Sequence, residues 1–252
     1  MSHPQINPGA RPEGIRTEQA AAATVQHMFN DIAPTYDRAN HLLSFGLDRL
    51  WWRRAAQQFA PILARPDAHI LDLCCGTGDM TAALLRLRPV GSSTRPITGL
   101  DFSAEMLRRA RQKFPVPGVT FVEGDAMHLQ CPPSSLDLVT AAFGFRNLSN
   151  YAGGLAEIFR VLQPGGQFGI LECNQPGGLI GALYSLYFKR LLPLLGGLIS
   201  GQPSAYRYLP ASVERFPRPP QMLALIREAG FVDASWTSYT LGTSGLYRAT
   251  KP

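Results

Sequence analysis

An α/β fold with a wound, mostly parallel sheet is predicted by three features of this sequence. Short apolar segments alternate with helical ones from residue 69 to residue 173. The first strand, Ile70-Leu71-Asp72-Leu73, runs into Cys74-Cys75-Gly76-Thr77-Gly78-Asp79, a small-residue turn that opens a helix. The second, Ile97-Thr98-Gly99-Leu100, ends on Asp101, about 20 residues beyond that turn, where nucleoside-binding crossovers carry a ribose-binding acid.

The elements follow in order. Residues 1–16 are polar, carry Pro4, Pro8 and Pro12, and lack a signal peptide's apolar stretch; they read as a disordered arm. Residues 17–33 predict a helix, capped at Thr17 and limited by Pro34. Residues 35–44 read as a polar-aromatic connector and 47–60 as a second helix with Trp51 and Trp52, so that 17–60 forms a helical cap. Then come strand 69–74, helix 78–87, strand 97–101, helix 103–113 capped by Ser103, strands 119–123 and 136–142, helix 150–162 and strand 167–173. Such alternation implies right-handed crossovers and a sheet covered on both faces. An apolar insertion, 176–216, precedes a last helix, 219–229, and two closing strands, 231–239 and 243–250. One domain, 17–252, accommodates all of this.

Composition narrows the function. The net charge is +6, compatible with an anionic bilayer surface. The longest apolar run, Gly177 to Phe188, is broken by Lys189 and Arg190 well short of the about 20 residues a membrane span needs. Cys74, Cys75, Cys131 and Cys173 show no metal spacing and read as small buried hydrophobes of a reducing cytosol, and no metal site is proposed. His41 and His128 read as lone structural histidines. No long segment interleaves aromatic and basic residues, so nucleic acid is not the expected partner.

Gly76 and Gly78 let the backbone turn sharply and approach a ligand. Thr81 stands where a dinucleotide fingerprint has its third glycine, and Asp72 places an acid before the turn. That combination fits S-adenosylmethionine, which has no phosphate and has a cationic sulfonium and ammonium end. Asp101 would accept from both ribose hydroxyls, and Asp125 from the adenine amino group, with Ala126 leaving room for the ring. Phe143-Gly144-Phe145-Arg146-Asn147 follows the fourth strand, where Gly144 is expected to permit an unusual backbone angle and Arg146 and Asn147 to overhang the pocket. The Asn/Asp-Pro-Pro-aromatic loop of amino-group methylation and a Pro-Cys nucleophile are both missing. In the insertion, Leu179, Ile180, Leu183, Leu186, Tyr187, Leu191 and Leu192 at helical spacing, beside Lys189 and Arg190, suit either a core helix or an apolar substrate lid resting on a bilayer.

These residues resemble the ubiquinone/menaquinone biosynthesis C-methyltransferases over roughly residues 25 to 250. The resemblance rests on Tyr36-Asp37, Asn40-His-Leu-Leu-Ser-Phe-Gly46, Arg49-Leu-Trp51, the glycine turn, Gly99-Leu-Asp101, Phe143-Gly-Phe-Arg-Asn147, Gln163-Pro-Gly-Gly166 and Tyr208-Leu-Pro-Ala-Ser-Val213. It implies a Rossmann-like, seven-stranded class I methyltransferase fold with an antiparallel last strand. It also implies S-adenosylmethionine as methyl donor, ring C-methylation of a prenylated quinol, and peripheral residence at the cytoplasmic face of the membrane, with a homodimer admitted. Demethylmenaquinol is the expected substrate, a benzoquinol or demethylphylloquinol the alternative, and a non-catalytic nucleoside-binding subunit the distant one. Carried over by position, Thr77, Asp101, Asp125 and Ala126 would contact the cofactor, beside the Asp72, Gly76 and Gly78 that the turn itself supplies. Tyr36, Arg146 and Asn147 would face the quinol, Arg146 as stabiliser of a phenolate and Tyr36 or a water as proton relay. Some relatives have a serine where this chain has Ala142, and others a histidine where it has Asp48.

Overall fold

The computed structural model describes residues 9–15, 17–89, 91, 94–187, 190 and 203–252. Its strands are β1 (Ile70–Leu73), β2 (Ile97–Asp101), β3 (Val119–Glu123), β4 (Leu136–Ala142), β5 (Leu162–Cys173), β6 (Val232–Tyr239) and β7 (Ser244–Thr250). They form one sheet in the order β3-β2-β1-β4-β5-β7-β6. The first five run parallel, and β7 lies antiparallel to both of its neighbours. All four residues of β1 are buried, as expected of a strand covered on both faces. The order reverses between β1 and β4, and ligands of wound sheets bind beyond the strand tips at that reversal.

The helices are α1 (Glu18–Ile32), α2 (Tyr36–Leu43), α3 (Leu47–Gln57), α4 (Ala60–Leu63), α5 (Asp79–Leu85), α6 (Ala104–Lys113), α7 (Tyr151–Val161), α8 (Gly178–Leu186), α9 (Pro203–Arg215) and α10 (Pro219–Glu228). One core joins α7 and α10 to the sheet through Leu155, Ile158, Met222, Ile226, Phe168 and Tyr247. Another joins α3, α4 and α5 to it through Trp51, Leu63, Met80, Leu84, Ile70 and Leu138.

Several expectations need correction. The stretch 35–44 is helical, because Ala39 and Leu43, one turn apart, bury one face of α2. The helix expected over 47–60 divides at Phe59, whose backbone is not helical, and Pro61 opens the next turn in α4. Strand β5 begins at Leu162, directly after α7, since Leu162 already pairs with Leu136. Of the supposedly disordered arm, residues 9–11 are packed: Ala10 donates to Leu148 O at 2.7 Å and Arg11 to Ser149 O at 2.7 Å. Gly9 has to be glycine there, for a Cβ would lie 2.1 Å from Ser149 O. Of the insertion, α8 and α9 are described, while Lys189, Leu191, Leu192 and the side chains of Leu179, Ile180 and Leu183 lie outside the described residues. No helix among the described residues is long and apolar enough to cross a membrane.

Candidate active site

Two adjoining hollows open over the tips of β1 to β4. The larger, about 320 Å³, is walled mainly by apolar and aromatic side chains of α1, α2, α3 and the insertion. The smaller, about 60 Å³, lies over β2 and β3. Phe29, Tyr36, Cys74, Gly76, Ala142 and Phe143 line both, so the two meet above the glycine turn.

The turn is built from left-handed backbone. Cys74, Gly76 and Gly78 have φ of 51°, 54° and 87°. A Cβ on Gly76 would meet nothing within 4 Å, so the bare backbone borders open space. Asp101 sits at the tip of β2, where Gly76 N donates to one carboxylate oxygen at 2.8 Å and Ser103 N to the other at 2.9 Å. Burial pushes its carboxyl up to about 6, and among the described residues no cation pairs with it. Asp125 stands at the outer lip of the smaller hollow, its side chain more than half exposed and accepting from Met127 N at 2.8 Å; Ala126 is buried beside it.

Asp72 and Thr77 are held more tightly than the sequence suggests. Asp72 lines the larger hollow, but it accepts from Thr81 Oγ1 at 2.6 Å and from Thr140 Oγ1 at 2.7 Å. Complete burial outweighs both bonds and pushes its carboxyl up to about 7. Thr77 donates its hydroxyl to Asp37 at 2.6 Å, and Lys113 joins Asp37 (2.8 Å) to Asp79 (2.7 Å). This clasp binds α2 to the glycine turn, while Gln26 on Phe102 O (2.5 Å) and Asn30 with Ser103 (2.6 Å) bind α1 to the tip of β2. The two helices thus roof the hollows.

Arg146 faces the larger hollow and Asn147 the smaller. Gly144 has φ of −113°, so it is not there for an unusual angle; the left-handed residue is Phe143, at φ 58°. Glycine is needed at 144 because a Cβ would fall 2.2 Å from the Cβ of Cys74. The Arg146 guanidinium is not a free cation either. Its Nη1 lies 3.0 Å from Glu172 Oε2, its backbone N donates to Oε1 of the same carboxylate at 3.0 Å, and its Nε donates to Ser212 at 3.3 Å. Burial alone would lower this arginine's pKa, but Glu172, with Cys173 and Tyr36, more than reverses it, and the charge is held firmly. Tyr208 donates to Asn147 at 3.1 Å, which docks α9 against the same loop. Burial raises the Tyr36 hydroxyl well above the usual tyrosine value, against a smaller opposing pull from Arg146, so it stays protonated.

Of two further acids of the site, Glu172 was missed in the sequence and Asp48 was noted only as a departure from relatives that speaks against a catalytic role; both had a signal. Glu172 ends the apolar run Phe168-Gly-Ile-Leu171, as Asp101 ends β2. Asp48 shares the buried stripe of α3 with Trp51 and Ala55, where an acid is out of place unless paired. Asp48 lines the larger hollow, and His41 bonds it at 2.5 Å, so His41 is not a lone histidine; His128 bonds Asp125 at 3.1 Å.

Comparison with known proteins agrees with this geometry. A demethylmenaquinone methyltransferase of Thermus thermophilus is 46% identical over 228 residues, covering 89% of this chain and all of that one. Its counterpart in Deinococcus radiodurans is 43% identical over 95% of this chain and 97% of its own. A ubiquinone/menaquinone biosynthesis C-methyltransferase of Campylobacter jejuni is 39% identical over 89% of this chain and 96% of its own. Among solved structures, a SAM-dependent methyltransferase from Thermotoga maritima superposes with a TM-score of 0.62 at 18% identity, covering 90% of this chain and 99% of that one, which bears on the fold. A family model described as the ubiE/COQ5 methyltransferase family matches residues 17–251. Sheet order, glycine turn and sequence converge, and the chain belongs to the ubiE/COQ5 methyltransferase family.

Proposed function

We propose that this methyltransferase methylates a ring carbon of demethylmenaquinol, taking the methyl group from S-adenosylmethionine. One observation carries the reading: a small hollow bearing Asp101 and Asp125 and a large aromatic hollow share a wall at the glycine turn, with Asn147 facing the first and Arg146 the second. A nucleoside and a greasy ring would meet there. The names of the Thermus and Deinococcus relatives favour the naphthoquinol over other ring substrates.

The residues fit the cofactor. Asp101 is a buried carboxylate braced by the Gly76 and Ser103 N–H groups and, among the described residues, faced by no cation, which suits hydroxyl donors. Gly76 leaves the space a ligand backbone would use, Thr77 and Gly78 complete that turn, and Asp72 is a buried carboxyl whose ionised form a cationic ligand would favour. Asp125 and Ala126 would border the base. When bound, S-adenosylmethionine supplies an electrophilic methyl.

The protein's own part is to hold the ring and to favour the ionised hydroxyl, which enriches the neighbouring ring carbon in electrons. Attack needs that carbon held roughly 3–3.5 Å from the methyl. Arg146, kept charged and turned by Glu172, would direct N–H groups at the phenolate oxygen. Because the pair is neutral overall, its contribution is directional hydrogen bonding and dipole more than net charge. Tyr36, held protonated, would donate as well; it is a stabiliser and not the proton acceptor. Asn147 would orient a hydroxyl.

The α2–α3 corner and α8 are read as the face that meets the membrane. Phe45 is 77% exposed and Leu42 59%, and Phe45 packs on Tyr187, 5.8 Å between ring centres. Arg38, Arg49, Arg53 and Arg54 are exposed on α2 and α3, while Asp48, the one acid between residues 38 and 54, is buried. An exposed apolar tip on a pair of arginine-rich helices suits an anionic bilayer. Leu43 and Phe45 also line the larger hollow, so a prenyl tail would pass there.

The test is direct. Purified protein with S-adenosylmethionine and a short-chain demethylmenaquinol under reducing conditions should yield ring-methylated product by mass spectrometry. Asp101→Ala should abolish cofactor uptake in calorimetry. A reduced, intact substrate left unmethylated by protein that takes up the cofactor would overturn the substrate assignment.

A further inference from the structure

Ring methylation by a sulfonium releases one proton per turnover, and it is released inside an apolar hollow. Most groups lining that hollow are poor acceptors. Arg146 is held charged, and Tyr36 is held protonated by burial. Burial also raises the thiols of Cys74 and Cys173, the latter to about 12. Asp72 is fully buried with both oxygens covered by threonine hydroxyls, and Asp79 is tied to Lys113 at 2.7 Å.

Asp48 is different. It lines the hollow, its side chain is 5% exposed, and an imidazole holds one of its oxygens: His41 Nδ1 lies 2.5 Å from Oδ2. The other oxygen accepts from Arg49 N at 2.8 Å. His41 does not line the hollow; it lies behind Asp48, its side chain 25% exposed. The α2–α3 corner fixes the pair. Phe45 and Gly46, at φ 53° and 73°, reverse the chain, and Gly46 N donates back to His41 O at 2.8 Å. The end of α2 is thereby set against the first turn of α3. Trp52 flanks the imidazole edge-on, 6.0 Å between ring centres. Acid, histidine and solvent therefore stand in line from the hollow outward.

We propose that Asp48 is the catalytic acceptor of the quinol hydroxyl proton, directly or through one water, and that His41 positions it and passes the proton to bulk solvent. The O–H bond breaks, its electron pair stays on oxygen as phenolate, and the Asp48–His41 pair gains the proton. The ring carbon then takes the methyl as the methyl's bond to sulfur breaks, and that carbon's own proton is lost while the oxygen regains one. Return of the pair to its resting state leaves one proton released to water per turnover. Imidazole suits the outer position because it exchanges protons readily near neutral pH. The inference rests on the quinol reading above.

The charged groups around the pair are Asp79, whose field His41 shares, with Lys113 paired to it, and Arg49 beside Asp48. None of these is altered in the test. The variants are Asp48→Asn, Asp48→Glu and His41→Gln, assayed beside the wild type on short-chain demethylmenaquinol at saturating S-adenosylmethionine. For Asp48→Asn, kcat should fall about 10²-fold or more near neutral pH, in the range of a lost general base, with KM and cofactor Kd little changed. Its rate should then climb about tenfold per pH unit, because only hydroxyls ionised by solvent react, phenols titrating near about 10. The wild type should level off well below that pH. Asp48→Glu should restore part of kcat, and His41→Gln should lose less than Asp48→Asn.

A pH–rate profile of Asp48→Asn parallel to the wild type overturns the proposal, and so does equal loss in kcat and cofactor binding. Wild-type protein that methylates no quinol fails the functional reading instead. The wild type also gives a reading independent of variant folding. In protein labelled with 15N-histidine, the His41 ring signals should shift when a non-reactive quinol analogue fills the hollow. A His41 spectrum unchanged by the bound analogue overturns the proposal.

Discussion

Asp72 joins stability to function at the level of one carboxyl. Its pKa is about 7 in the folded chain, against about 4 for an exposed aspartate. A raised pKa means that the folded state holds the proton longer than the unfolded one. The associated stability is complete below about pH 4 and is lost as pH rises to about 7. Asp72→Asn, which keeps hydrogen bonds to both threonines, should therefore be more stable than the wild type at pH 8, by about 1–4 kcal/mol. The gain should shrink toward pH 5. Thermal unfolding at the two pH values, with calorimetry of cofactor uptake, measures both effects, and uptake should weaken. An equal gain at both pH values would show that the carboxyl is not the cause.

Arg146 and Glu172 form the other residue-scale test. Arg146→Ala should lower kcat by about 10²-fold, as for loss of an oxyanion donor. It should also destabilise by roughly 3–5 kcal/mol, because Glu172, fully buried, loses its counter-charge. The pair Arg146→Met with Glu172→Leu should recover most of the stability and none of the turnover. Melting curves and single-turnover rates separate these outcomes; a double variant as unstable as Arg146→Ala would remove the buried charge as the reason.

At the scale of elements, the loops after β1 and β4 are fitted to each other. Gly144 lies so close to Cys74 that an alanine must push the loops apart. Gly144→Ala should cost on the order of 1–3 kcal/mol, as overpacking does, and shift the Arg146 loop enough to depress turnover. Cys74→Gly on that background removes the opposing Cβ and suits φ of 51°, and it should restore part of both. Melting temperature and kcat of the single and double variants are the measurements. No recovery would place the strain elsewhere. The same scale explains why α1 and α2 sit over the site: hydrogen bonds from Gln26, Asn30 and Asp37 reach the strand tips from helices far apart from them in sequence.

For the whole molecule, exposed Leu42 and Phe45, backed by arginines, set one face apart from the rest. The protein should co-sediment with vesicles containing anionic lipid more than with neutral ones, and less as salt rises. Phe45→Ser with Leu42→Ser should cut that binding on the order of 10²-fold or more, since each loses roughly 1.5–3 kcal/mol of apolar burial. Binding that neither salt nor the double variant changes would rule this face out.

How much was legible in the sequence differs with the range of the interaction. The strand-turn-helix of residues 70–85, the acid ending β2, the capped helices and the strand alternation are local patterns of period and turn chemistry, and they sufficed for the fold class and a nucleoside slot. The sequence did not reveal that Arg146 is neutralised by Glu172, or that Asp72 is closed in by Thr81 and Thr140. Nor did it show that Gly144 answers Cys74, that residues 9–11 pack on Leu148 and Ser149, or that His41 and Asp48 meet. Each of these depends on distances between groups that local pattern leaves undetermined. Only the folded sheet, by setting which strand tips and corners lie side by side, decides which charges are paired, which carboxyls keep their protons, and where a proton can leave.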